Sequence, residues 1–351
     1  MLPKYLLLLS GIFLAIPVLG VMALAFTLPT SISGIGYILS LTLVVAGLIL
    51  APWMRRSSLL TLTGILGISL IVTARIMLGE SNSTSRLYMI TLPDGQGTHW
   101  LGDVIDEQDA IIFGETIFHW IGGDSDNEHA GLTSAFERVY SEMQQDGIFS
   151  SPVVGTYLGL QQPDRFDAVI IEPETKAQFG VVFLHGYMGN VSAQCWGIAQ
   201  AVKELDGVTI CPSTMWTGEW WRPEGQQILQ RSFEYLRKRG IQTIYLGGFS
   251  NGGFSIGRLA RQLENEKGLS GLIFIDGFMN GDDVREMGLP VLIIEGTQDE
   301  RVPVEAARQF VTEVGELGTY IEINSDHFLI MKEPGLIQNA IATWLENNTS
   351  P

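Results

Sequence analysis

Three residues of this 351-residue chain combine side chains that can do covalent chemistry with places at the ends of apolar runs. Ser250 lies in "YLGGFSNGGFS", residues 245 to 255, where Gly248, Ser250 and Gly252 spell G-x-S-x-G after the run "TIYLGG". A strand that turns sharply into a helix can hold a serine at its apex only if its neighbours lack side chains that would collide. The same five residues also suit an ordinary glycine-rich turn, so the rest of the chain must decide. Asp299 follows a second run in "IIEGTQDERVP", and His327 follows a third in "INSDHFLI". A serine hydroxyl is a poor nucleophile at neutral pH. An imidazole beside it can take its proton as it attacks a carbonyl and return that proton to the leaving group. A carboxylate then fixes the imidazole tautomer and stabilises its cation. Asp276 in "FIDG", Glu295 and Glu300 are rival carboxylates for the third role.

The elements that must position these residues are regular from Asp167 onward. "DAVIIEP", "GVVFLHG", "VTICP", "TIYLGGFS", "GLIFIDG", "PVLIIEGTQD" and "TYIEINS" are short runs rich in Val and Ile, each consistent with a strand. Helix-like segments such as "SAQCWGIAQAVKEL", "GQQILQRSFEYLRKRG" and "PVEAARQFVTEVGE" lie between most of them. Such alternation implies parallel pairing, right-handed crossovers and a sheet covered on both faces, with ligands at the carboxyl ends of the strands. Residues 80 to 166 are mixed: a polar linker "ESNSTS", strand candidates at Leu87 to Thr91 and Ala110 to Phe113, and a helix from Leu132 to Gln145.

Serine, then acid, then histidine in chain order, with the serine in G-F-S-x-G-G and the acid in Asp-x-x-Val-Pro, resembles the α/β-hydrolase superfamily, most of all its carboxylesterase, acyl-thioesterase and dienelactone-hydrolase group. The resemblance covers about residues 167 to 349 and includes His185-Gly186 in "VVFLHGYMGN". In that family a His-Gly after the third strand opens the oxyanion loop. The resemblance therefore implies an oxyanion hole made by the backbone amides of Tyr187, or of Met188, and Asn251, with His185 structural to its loop. It implies a catalytic triad of Ser250, His327 and Asp299. The loop "PSTMWTGEWWRPEG" places Trp216, Trp220 and Trp221 on the same edge of the sheet, where they are expected to wall a substrate pocket. His99, His119 and His129, with Asp124 and Asp126, match no metal-ligand spacing, so neither a metal nor an organic cofactor is expected.

Composition divides the chain. Residues 1 to 79 contain Lys4, Arg55, Arg56 and Arg75 and no Asp or Glu, so all 38 acidic groups fall in the remainder of a chain whose net charge is −17. An acidic domain of this kind repels nucleic acid and anionic surfaces, and neither is expected as a partner. The first segment holds three apolar spans, about 5 to 28, 34 to 51 and 59 to 78. The first would reach ~36 Å against a hydrocarbon core of ~30 Å, long enough to cross a bilayer with tilt. Arg75, a turn from the end of the third span, is expected to snorkel to the headgroups. Lys4 and the Arg55-Arg56 pair are separated by two spans and both favour the cytoplasmic side, which puts everything after the third span outside the cytoplasm. A cleaved signal peptide ending at Ala23-Leu24-Ala25 is the competing reading, and its apolar run is too long for it. Cys195 and Cys211 fall on one edge of the expected sheet, as a disulfide or as two buried thiols.

The expected organisation is a three-span anchor over 1 to 79, a linker and accessory region over 80 to 166 and a catalytic domain of α/β-hydrolase fold over 167 to 351. The expected activity is cleavage of a small or lipid-like carboxylic ester or thioester through an acyl-enzyme. A peptidase or amidase would use the same triad, and a non-catalytic binding protein could keep the same fold.

Overall fold

The computed structural model describes residues 2–80, 86–94, 100–146 and 149–349; "SNSTS", all of the linker "ESNSTS" but its first residue, and His99 lie outside them. The chain divides into two compact units: Met1–Asn82 with Asp103–Gly123, and Ser83–Gly102 with Asp124–Pro351.

In the first unit the three apolar runs are helices, Leu2–Thr27, Ile32–Leu50 and Ser57–Glu80, each long and apolar enough to cross a membrane. Their surfaces carry exposed Phe13, Phe26 and Leu66, an exterior suited to hydrocarbon. A polar network ties residues 103 to 123 to them. Arg75 donates from Nε to the Asp103 carbonyl (2.7 Å) and from Nη1 to Ser33 Oγ (2.9 Å), and pairs with Asp106 at 3.2 Å. The Tyr37 hydroxyl donates to the Val104 carbonyl at 2.6 Å, and Asp109 accepts from the Ser31 amide and hydroxyl at 2.8 and 2.6 Å. Arg75 therefore does not reach for headgroups as expected: a carbonyl, a hydroxyl and a carboxylate already satisfy its guanidinium. The strand expected at Ala110 to Phe113 is instead the middle of a helix, Glu107–Trp120. A four-residue apolar run suits either element, and Asp106, whose side chain accepts from the Gln108 amide, caps the helix start.

The second unit is built on one eight-stranded sheet: β1 (Leu87–Leu92), β2 (Phe166–Ile171), β3 (Phe179–Leu184), β4 (Gly207–Pro212), β5 (Ile244–Phe249), β6 (Leu269–Ile275), β7 (Val291–Gly296) and β8 (Gly318–Ile323). Their spatial order is β1-β2-β4-β3-β5-β6-β7-β8. The six from β4 to β8 pair in parallel, while β1 and β2 run antiparallel at one margin. Strands β2 to β5 and β7 are buried at every position, as continuous Val and Ile runs in a sheet covered on both faces must be. Helices Ser192–Glu204, Pro223–Lys238, Asn251–Leu263, Val304–Val314 and Pro334–Asn348 supply that cover. Burial of this apolar set, at ~25 cal/mol per Å², is the main force holding the sheet rigid. The stretch 80 to 166 is shared out: β1 is a strand of the sheet, and helix Leu132–Met143 buries Leu132, Phe136, Val139 and Tyr140 in the same unit. Cys195 and Cys211 are joined in a disulfide between helix Ser192–Glu204 and β4.

Candidate active site

Ser250 follows β5 directly, with φ 53° and ψ −119°, and helix Asn251–Leu263 begins at the next residue. A non-glycine residue in that region is strained by about 1–3 kcal/mol, and the packing around it must hold it there. The glycines show how tight that packing is. A Cβ on Gly248 would stand 2.4 Å from the Gly252 carbonyl carbon, and one on Gly252 would stand 2.1 Å from the Leu184 carbonyl oxygen. The G-x-S-x-G spacing is thus a steric requirement of the turn.

His327, in the loop after β8, bridges the serine and an acid. Its Nε2 lies 3.0 Å from Ser250 Oγ and its Nδ1 lies 2.6 Å from Asp299 Oδ2. With Nδ1–H donated to the carboxylate, Nε2 is left to accept the serine proton. Asp299 Oδ1 accepts backbone N–H bonds from Arg301 (2.7 Å) and Val302 (2.8 Å), so its position is fixed by the chain itself. Asp299 and His327 are buried and Ser250 is partly accessible. Of the rival carboxylates, Asp276 and Glu295 are also buried near this point, and Glu300 is exposed.

The loop after β3 packs against the serine from the other side. A Cβ on Gly186 would stand 2.9 Å from Ser250 Cβ and 3.4 Å from the Asn251 amide nitrogen, so the Tyr187 peptide follows immediately beside Ser250. Asn251 is the first residue of its helix, where backbone N–H groups have no intrahelical acceptor. His185 holds this loop. Its Nε2 accepts from the Thr214 amide (3.2 Å), so Nδ1 carries the proton and donates to the Gly186 carbonyl (2.8 Å). Burial lowers its pKa from 6.5 to about 4.

The three tryptophans separate. Trp216 is 40 % exposed and meets Tyr187, itself 43 % exposed, edge to face at 4.8 Å. Trp221 is partly buried against the core with the Arg258 guanidinium 4.3 Å over its ring. Trp220 does not wall a pocket as expected. It is 0 % exposed within the core, and its indole N–H donates to the His185 carbonyl at 3.0 Å, so it buttresses the loop from beneath.

Sequence reasoning also missed the brace around the acid loop. The Arg301 guanidinium binds Glu128 at 2.7 Å and 2.9 Å, and the Lys332 ammonium binds Asp326 and the Glu128 carbonyl. Glu128, N3 of a short helix capped by Ser125, thus clamps the segments that carry Asp299 and His327.

Residues 230–328, from the helix before β5 through Ser250, Asp299 and His327, match the model described as the alpha/beta hydrolase family. No curated protein sequence matches the chain. Among solved structures it is similar to Est1E from Butyrivibrio proteoclasticus (16 % identity, 53 % of this chain and 96 % of that one, TM-score 0.45). It is also similar to an alpha-beta serine hydrolase homologue from Coxiella burnetii (18 %, 50 % and 91 %, 0.43) and to the esterase domain of a Rhodothermus marinus protein (14 %, 53 % and 95 %, 0.45). With its mostly parallel eight-stranded sheet and the match over residues 230–328, the chain has the α/β-hydrolase fold, preceded by three helices long and apolar enough to span a membrane.

Proposed function

We propose that this chain is a membrane-anchored serine hydrolase that cleaves a carboxylic ester or thioester. The observation that carries the reading is the unbroken chain of hydrogen bonds from Ser250 Oγ through His327 to Asp299, at 3.0 and 2.6 Å. Ser250 Oγ attacks the acyl carbon while His327 Nε2 takes its proton. The negative charge that develops on the carbonyl oxygen is met by the amides of Tyr187 and Asn251, a contribution of about 3–4 kcal/mol per donor in comparable sites. His327 returns the proton to the leaving alcohol or thiol, and a water, activated by the same imidazole, then releases the acid. The steps call on no metal or organic cofactor. Tyr187 and Trp216 form an apolar rim for the acyl or alcohol group. Lys4, Arg55 and Arg56 support an extracytoplasmic catalytic unit, and the Cys195–Cys211 disulfide is consistent with an oxidising compartment.

The test is labelling of intact cells with a membrane-impermeant fluorophosphonate, comparing wild type with Ser250→Ala. Modification of the Ser250 peptide, absent in the variant, is expected. Labelling only after the membrane is opened would overturn the orientation, and no labelling at all would favour a non-catalytic binding role. Matched ester, thioester and amide substrates then separate an esterase from an amidase.

A further inference from the structure

Two carboxyls at the ends of β6 and β7 take no part in the steps above. Asp276 and Glu295 are both fully buried. Asp276 Oδ1 accepts from the Gly296 amide at 2.9 Å, whereas Asp276 Oδ2 and both Glu295 oxygens find no donor among the described residues. Asp276 and Glu295 directly follow Ile275 and Ile294, which pair in register across β6 and β7, so the two residues stand side by side at the strand ends. Two carboxylates are acceptors only, so they can meet in this way only if a proton stands between them. Burial, together with the neighbouring carboxylates, pushes both proton affinities up, that of Glu295 to about 8.

The pair is wedged beneath the reacting groups. One oxygen of Asp276, one of Asp299 and a ring nitrogen of His327 all lie within 4.8 Å of one another. Asp276 holds a left-handed conformation, φ 47°, and a Cβ on the following Gly277 would stand 2.1 Å from the Ser250 carbonyl oxygen. The turn that carries Asp276 therefore rests on the backbone of the serine. The other charged groups facing the pair are Asp299 and His327 from the loops after β7 and β8, and Glu322, opposite Glu295 on β8. Glu322 is itself held by Arg308 and the Tyr320 hydroxyl.

We infer that Asp276 and Glu295 share a proton and act as a positioning pair under the triad. While the proton is held the pair carries a single negative charge, as either amide variant would; once it is lost both carboxyls are charged, Asp276 repels Asp299 and competes with it for the His327 N–H, and the imidazole loses its alignment with Ser250. The inference rests on the hydrolase reading for its kinetic consequence, and for the proton on the burial, the unpartnered oxygens and the side-by-side placement of the two carboxyls.

Glu295→Gln and Asp276→Asn each replace the shared proton by a fixed amide N–H. In full-length enzyme in detergent, wild-type kcat is expected to fall as pH rises beyond about 8 with KM unchanged. Both amide variants should keep neutral-pH kcat within about threefold and lose that alkaline fall. A carboxyl whose folded-state affinity is raised gives stability that is complete below its ordinary value of 4.5 and is lost as pH rises through about 8. The stability of Glu295→Gln relative to wild type should therefore increase across that window. Infrared spectra of carboxyl-labelled protein at pH 7 should show a protonated acid band that the double variant lacks, whether or not any substrate is turned over. A wild-type alkaline limb in the amide variants, or the absence of that band from wild type, would overturn the inference. Lack of wild-type turnover with the band present would instead count against the hydrolase reading alone.

Discussion

Two buried histidines stand on opposite sides of Ser250, and they are built for opposite tasks. His185, after β3, gives its Nδ1–H to a carbonyl and receives a backbone N–H at Nε2. Every hydrogen-bonding position of the neutral ring is used, and a second proton would have to displace the Thr214 amide. His327, after β8, gives its Nδ1–H to a carboxylate and turns Nε2 toward a hydroxyl. Here a second proton has a source in Ser250 and a counter-charge in Asp299. The difference is one partner on each nitrogen, and it separates a ring that fixes a loop from one that can move protons.

The largest effect that would test this contrast is at His327. His327→Ala should lower kcat by about 10⁴-fold or more while the thermal midpoint changes little, because the variant loses the proton carrier but leaves the sheet intact. A loss of only about tenfold would mean that Nε2 is not the working base and would return His185 to consideration.

His185→Gln should show the reverse balance. Activity falls modestly, through a loosened Gly186–Tyr187 peptide, while stability at neutral pH drops by about 1–3 kcal/mol as buried hydrogen bonds are lost. The pH dependence separates it further. The folded-state pKa of His185 is lowered from 6.5 to about 4, so its contribution to stability is complete above 6.5 and is lost as pH falls toward 4. That shift corresponds to about 3 kcal/mol across the window. The variant, having nothing to protonate there, should show a shallower acid slope in denaturant titrations. An unchanged slope would mean that His185 is not held neutral by its burial.

The same contrast explains what was legible in the sequence. Ser250, Asp299 and His327 each sit where an apolar strand run stops, and the turn around Ser250 leaves a steric trace because Gly248 and Gly252 admit no side chain. Trp220 leaves no such trace. A tryptophan in a glycine- and proline-containing loop has the same local pattern whether it faces a cleft or, as here, donates inward to the His185 carbonyl. The Glu128–Arg301 clamp joins residues 173 apart, and no local spacing announces it. Arg75 was legible as a charge near a span end, but its partners Asp103 and Asp106 come from a segment read in part as strand. Asp276 and Glu295 were visible as rival acids, whereas their shared burial depends on the pairing of β6 with β7. The candidate residues for chemistry are legible where strand ends and tight turns constrain their neighbours in sequence, and the residues that brace them are not, because that constraint acts through space.

On the loop side of Ser250 a change at the rim should cost least. If His185 and Trp220 hold the loop by its backbone, the exposed side chains at its rim are free to serve substrate contacts without setting the reaction geometry. Trp216 meets Tyr187 edge to face, and both are about two-fifths exposed. Trp216→Ala removes apolar surface from the rim and leaves the His185 hydrogen bonds in place. It should raise KM about tenfold for bulky acyl esters and much less for short ones, with kcat held within about twofold. Michaelis parameters across an acyl-length series give the answer. A uniform fall in kcat for every ester would mean that the Trp216 side chain also holds the Tyr187 amide, so that rim and loop are one device and the division between holding and contacting does not extend to this side of the serine.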